Sequence, residues 1–355
     1  MRHIRPAVAL ILSLVAAWPP RVALAQDTQA SEGRRPAREV PLFASHDQLV
    51  LNLTTDLRTV LRDRGESAPW RPASLMHRSS ESDIVVPVRV RTRGIFRLKN
   101  CGFPPIRFNF VKDSVRGTVF ERQDRPKLVT HCQNNNSYEQ YVLSEYIVYR
   151  VLGALTPLSI RARLAKVTYI DANGRSNPVT RAAIILEEPA EMAARNGGER
   201  MTVQGVTQEE IDPTTAIQVA LFQYMMGNVD WSVPALHNIE LVKGGDGRIH
   251  AVPYDFDYSG AVQPRYARPN PLINQRHVTE RMWRGVCPPE PDLVAAIALF
   301  NEKRPEIEAI IGGVPGIEPR NAERLRKYFD EFYRTLNDRR ALDREIAKVC
   351  NPRGR

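Results

Sequence analysis

Residues 226–260 read MGNVDWSVPALHNIELVKGGDGRIHAVPYDFDYSG. Ile239-Glu240-Leu241-Val242 and Ile249-His250-Ala251-Val252 have the composition of two short strands. Lys243-Gly244-Gly245-Asp246-Gly247 between them is turn-forming, so the stretch predicts a β-hairpin. Val233-Pro234-Ala235 marks a loop ahead of it. Asp230, His237, Asn238, Asp255 and Asp257 all stand among apolar residues here. An Asp before a hairpin, an Asn at its start and an Asp just after it is a layout that phosphoryl transfer can use. One carboxylate orients the attacking hydroxyl, and the Asn with the last Asp holds a divalent ion on the phosphates.

Upstream, Asp212-Pro213 predicts a helix start, with Ile217, Ala220, Leu221, Tyr224 and Met225 on one face and Gly227 at the end. Two predicted strands, Arg163 to Ile170 and Thr180 to Leu186, flank the turn Asp171-Ala-Asn-Gly174 and end in Glu187-Glu188-Pro189; Gly197-Gly198 reads as a boundary. Ser137 with Gln140 fits a capping box for a helix that stops near Gly153. Its inward stripe is Tyr138, Tyr141, Val142, Glu145, Tyr149 and Leu152, on which Glu145 is the single charge. A lone carboxylate on such a stripe needs a cation. Lys127 is the candidate by chain order, and Arg107 and Arg97 are the others.

Nearer the N-terminus, Ile84 to Arg93 alternates valines with arginines and predicts a half-buried strand broken by Gly94. Ile106 to Val111 and Lys127 to His131 predict two more, and Gln48 to Leu53 another; Thr54 or Thr55 caps a short helix ending at Gly65. Pro69 to Ser82 reads as loop. Beyond Asp292 the pattern is helical to about Val349, interrupted at Gly312-Gly313 and Pro315-Gly316.

Residues 1–25 have the form of a secretory signal peptide: Arg2 and Arg5, an apolar run from Ala7 to Trp18, and Ala23-Leu24-Ala25 before Gln26. No other stretch reaches the length of a membrane span, so no transmembrane segment is expected after cleavage. The formal charge of +10 falls to about +7 without that segment. The remaining basic residues are spread along the chain and read as a solvated basic surface, with an anionic partner as the alternative; no nucleic-acid partner is expected. At 43% apolar and 25% charged residues the composition is that of a folded domain rather than a disordered tail. Four cysteines in an exported chain predict two disulfides, Cys101–Cys132 and Cys287–Cys350, each pair falling within one region; no C-x-x-C spacing points to zinc.

The order of strands, helix, strands, helix, loop, hairpin, Asp and further helices is that of a two-lobed protein-kinase-like α+β fold. The chain also resembles the CotH-type atypical kinases from about Val86 to Gly260. Arg93-Gly94, Pro104-Pro105 and Arg107-Phe-Asn-Phe110 are similar to that family's upper motifs. Asp230, His237-Asn238 and Tyr254-Asp-Phe-Asp257 resemble its Asp, His-Asn and W-D-x-D motifs. The resemblance implies Asp230 as the catalytic residue and Asn238, Asp255 and Asp257 as ligands of Mg²⁺ or Mn²⁺. It implies Arg97, Arg107, Lys127, Glu145 and Glu188 as residues that bind ATP. The eight-residue gap from Asp230 to Asn238 departs from the H-R-D-x-x-x-x-N spacing of ordinary kinases. The expected organisation is a signal peptide at 1–25, a leader and extension at 26–82, a β-rich N-lobe at 83–190 and a helical C-lobe at 191–355. The expected activity is transfer of the ATP γ-phosphoryl group to a hydroxyl of a protein substrate outside the cytoplasm. The rivals are a binding module of the same fold without turnover, and a metal-dependent phosphohydrolase built on Asp230, Asp255 and Asp257.

Overall fold

Leu49, Leu51 and Leu53 alternate with more exposed residues along Leu49–Thr55 (β1), so one face of the strand is apolar and turns inward. In the computed structural model, which describes residues 40–65, 67–78 and 82–350, that face lines a barrel. The expected signal peptide and its cleavage site lie outside the described residues. Asp56 caps Leu57–Arg62 (α1) through the Thr59 N–H. Arg71–Arg78 (β2), Asp83–Thr92 (β3), Ile106–Phe110 (β4) and Lys127–Val129 (β5) follow, with Phe96–Asn100 (α2) between β3 and β4. Asn136–Leu155 (α3) leads to Ala162–Asp171 (β6) and Val179–Leu186 (β7). The strands close in the order β1-β2-β3-β4-β5-β7-β6, and the seam is a parallel pairing of β1 with β6, Leu49 opposite Ala165 through Thr55 opposite Asp171.

This closed seven-stranded barrel overturns the expected two-lobed kinase-like fold with its β-rich N-lobe; the mixed α+β content stands. Two things close the sheet. The stretch read as loop, Pro69 to Ser82, contains β2, whose Leu75 is fully buried. The β1–β6 seam then removes both free edges. Val86, Val88, Val90, Ile106, Phe108, Phe110, Leu128, Val167 and Ile185 fill the interior.

The outer wall of β6 and β7 packs through Leu164, Ala182 and Ile184 on α3. That helix is buried almost all round from Val142 to Leu152 because helices cover its other side. Its cap is Asn135, which accepts from the Tyr138 N–H, rather than the expected Ser137, and it continues through Gly153 to Leu155. Pro189–Arg195 (α4) and Glu199–Met201 (β8) precede Pro213–Met226 (α5), which Asp212 caps as expected. Ile239–Lys243 (β9) and Ile249–Pro253 (β10) form the expected hairpin, and β8 pairs with β9 to make a separate three-stranded sheet. Glu290–Gly313 (α6), Pro319–Leu336 (α7) and the short Arg339–Leu342 (α8) complete the helical layer.

Both expected disulfides are present, Cys101–Cys132 and Cys287–Cys350. The first ties the end of α2 to the residues just before α3. Among the described residues no helix is long and apolar enough to cross a membrane.

Candidate functional site

Helix α5 ends because Gly227 takes a left-handed conformation, φ 59°, and its N–H caps the helix. An added Cβ there would overlap the Tyr328 hydroxyl, so the close approach also calls for glycine. Asn228 then donates to Gln223 Oε1 and accepts from the Asp230 N–H at 3.0 Å. The Arg284 guanidinium grips the carbonyls on either side of Asp230, those of Val229 and Trp231. The Asp230 side chain is thus set on a fixed backbone, with its carboxylate 38% exposed.

His237 Nε2 lies 2.8 Å from Asp230 Oδ1. That bond to the carboxylate raises the imidazole's pKa above its ordinary value, against the opposing effect of burial. Asn238 donates its amide N–H to the Asp230 carbonyl at 2.8 Å and to Asp230 Oδ2 at 3.1 Å. Its amide oxygen has no hydrogen-bond partner among the described residues. Leu236, Asn238 and Asp255 all have left-handed backbones, with φ of 50°, 52° and 59°. Non-glycine residues in this region cost about 1–3 kcal/mol each and cluster at functional sites. Asp255 is held there by its N–H, which donates to the Tyr149 hydroxyl at 2.9 Å.

Arg97 settles which cation meets Glu145. It is buried, its Nη2 lies 3.2 Å from Glu145 Oε2 and 2.7 Å from Asp257 Oδ2, and Asp255 Oδ1 stands 3.9 Å away. Tyr266 donates its hydroxyl to the same Asp257 oxygen. One positive charge serves three carboxylates, and burial decides the balance. Glu145 is pushed up to about 8, chiefly by desolvation, and Asp257 is also raised by burial, while Asp257 makes the closest contact to the guanidinium. Among the described residues Glu145 Oε1 has no hydrogen-bond partner.

Lys127 meets no carboxylate within ion-pair distance among the described residues. Its ammonium stands 5.1 Å from the Tyr254 ring, and burial lowers its pKa to about 8. Arg107 is taken by Glu188 at 3.1 Å, and neither lines the cavity described next. Glu187 is buried between Arg161 and Arg195 and braces the chain after β7.

Arg93, Arg97, Lys127, Asp230, Asn238, Asp255 and Asp257 line one cavity of about 400 Å³ between the outer barrel wall, α3 and the hairpin sheet. That volume suits a small organic ligand. Its lining carries both signs of charge, Arg93 and Lys127 as well as Asp230 and Asp255. Of the expected ATP-binding residues Arg97 and Lys127 reach it; Glu145 stands behind Arg97, and Arg107 and Glu188 lie outside. Three contributors went unread in the sequence. Tyr266 and Arg284 sit in an irregular segment with no periodicity, and the Tyr149 hydroxyl was hidden in an apolar stripe.

Among the described residues no group of three or more His, Cys, Asp or Glu side chains is arranged to hold a metal ion. The donors that fit a hard cation are the Asp255 carboxylate, 42% exposed toward the cavity, and the free Asn238 amide oxygen. Asp257 has one oxygen committed to Arg97 and Tyr266. No protein-family model matches the chain, and no curated protein matches it.

Proposed function

We propose that the cavity binds ATP with Mg²⁺ or Mn²⁺ and that the chain transfers the γ-phosphoryl group to a hydroxyl of a protein substrate. The observation that carries this reading is the convergence of Asp230, Asn238 and Asp255 on a cavity that Arg93 and Lys127 also line. The resemblance of Asp230, His237-Asn238 and Tyr254 to Asp257 to the CotH-type kinase motifs supports it.

In this reading Asp230 accepts the proton of the attacking hydroxyl as the new oxygen–phosphorus bond forms, and the bond to the β-phosphate oxygen breaks to release ADP. His237 and Asn238 fix the direction of the Asp230 carboxylate, on a backbone that Arg284 holds, so the acceptor oxygen is oriented before reaction. Arg93 and Lys127 offset phosphate charge in a poorly solvated site. A divalent ion held by Asp255 and Asn238 would neutralise charge on the phosphate oxygens. Two disulfides fit an oxidising compartment, so the chain is proposed to act after export. One observation favours the alternative of binding without turnover: Asp257 is drawn toward Arg97 and Tyr266, which leaves few acidic donors for a metal.

The test is calorimetric ATP binding with Mg²⁺ or Mn²⁺, run beside transfer of radiolabelled phosphate to envelope proteins. Asp255→Ala should abolish metal-dependent binding. Asp230→Asn should bind ATP nearly as before while transfer falls by about 10²–10⁴. A wild-type protein that binds no nucleotide with either metal sinks the proposal; one that binds ATP but shows no transfer favours the binding module.

A further inference from the structure

The outward faces of β3, β4 and β5 carry a row of cations that the proposed reaction uses only in part. Register sets Arg91 opposite Arg107, and Arg107 opposite Lys127. Like charges directly opposite one another destabilise a sheet. Arg89 joins the row on the same face, because Val86, Val88 and Val90 take the barrel interior. Among the described residues the one carboxylate that meets the row is Glu188, at Arg107. Among the described residues none lies within ion-pair distance of Arg89 or Arg91, and Arg91 instead stacks over the Trp70 ring at 4.6 Å. At the inner end Arg93 and Lys127 carry the row into the cavity.

We propose that this row is the docking surface for an acidic polypeptide, which lies along β3 and brings its hydroxyl residue to Asp230. Charge complementarity selects an anionic partner. Spacing selects a polypeptide. Arg89 and Arg91 are two residues apart on a strand, about 6.4–6.8 Å, which is also the repeat of same-face side chains in an extended peptide. Because β3 is hydrogen-bonded on both sides, to β2 and β4, the peptide is held by side chains and not as an added strand. Delivery to Asp230 rests on the phosphotransfer reading; the docking does not.

The test measures fluorescence anisotropy of the full chain with a labelled peptide of alternating Glu and Ser, and with its Gln-for-Glu counterpart. The Glu peptide should bind at least about tenfold more tightly, and its affinity should fall as salt rises. The double variant Arg89→Glu, Arg91→Glu should lose about tenfold or more of that affinity with calorimetric ATP binding unchanged. Arg89→Gln, at an exposed position, gives a smaller loss in the same direction should the double variant fold poorly. Equal binding of the two peptides, or full affinity in the variants, overturns the docking surface. Equal affinity for a sulfated polysaccharide of matched charge overturns the choice of a polypeptide. Loss of acidic-peptide binding in the variants, in a protein that binds no ATP, would uphold the surface and sink the phosphotransfer reading instead.

Discussion

Replacing Arg97 by Met should destabilise the fold measurably, and the size follows from its surroundings. Arg97 is 9% exposed, and its guanidinium is shared by Asp257 at 2.7 Å and Glu145 at 3.2 Å, themselves 7% and 2% exposed. Removing one partner of a buried ion pair costs about 3–5 kcal/mol, because the charge left behind has lost both water and its counter-ion. Two features pull the figure to the lower end. Burial raises the pKa of Glu145, so once Arg97 goes it can take up a proton in place of its counter-ion. Asp257 keeps the Tyr266 hydroxyl at 2.9 Å. A loss of about 3 kcal/mol, at about 1.5 °C per kcal/mol for a chain of this length, lowers the melting temperature by about 4–5 °C. The assay is thermal unfolding at neutral pH of Arg97→Met, Asp257→Asn and the double variant. Since the damage in each single variant is the unpaired partner, the double variant should be less destabilised than the sum by about 2 kcal/mol. An Arg97→Met protein that melts within about 2 °C of wild type, or strictly additive losses, would refute the reasoning.

His131 should give the fold an acid limb. Its ring is fully buried against Phe103 and Tyr169, neither nitrogen has a hydrogen-bond partner among the described residues, and burial lowers its pKa to about 3. The unfolded chain binds a proton below about 6.5 that the folded chain refuses, so this stability is whole above that pH and falls by about 1.4 kcal/mol per unit below it. Urea unfolding at pH 7 and pH 5 should show a difference of about 2 kcal/mol that His131→Phe removes, and an unchanged pH profile in that variant would contradict the assignment. Gly227→Ala should destabilise by more than about 1 kcal/mol, since the new methyl meets both a left-handed backbone and the Tyr328 hydroxyl. Pairing it with Tyr328→Leu should recover part of the loss in the same melting assay; no recovery would assign the cost to the backbone alone.

The hairpin and its flanks were legible because their signals are local. Lys243 to Gly247 is dense in turn formers, and Asp230, Asn238 and Asp255 lie close enough in the chain for one hairpin to gather them. The barrel was not legible, because β2 offers a single fully buried residue, Leu75, among Arg, Pro, Ser and His, and because a parallel seam leaves no mark in either strand alone. The partner of Glu145 stayed open among three cations for a related reason. Arg97 lies on a five-residue helix in a stretch with no periodicity, and Cys101–Cys132 together with the fold brings it to a carboxylate on another element. Asn238 did carry a hint, since Asn tolerates the left-handed backbone it adopts. Leu236 and Asp255 share that geometry without a comparable signal.

The parallel seam also orders events in time. β1 pairs with β2 as soon as the intervening residues exist, but its other edge must wait for β6, roughly a hundred residues later in the chain, and loop closure over such a distance slows folding. Until then β1 presents a row of unpaired backbone groups to any neighbouring chain. A nascent chain is therefore most exposed to strand exchange and aggregation in the interval before Ala165 meets Leu49. A holdase that recognises extended apolar segments would act on the leucines of β1 in that interval and lose its target once the barrel shuts.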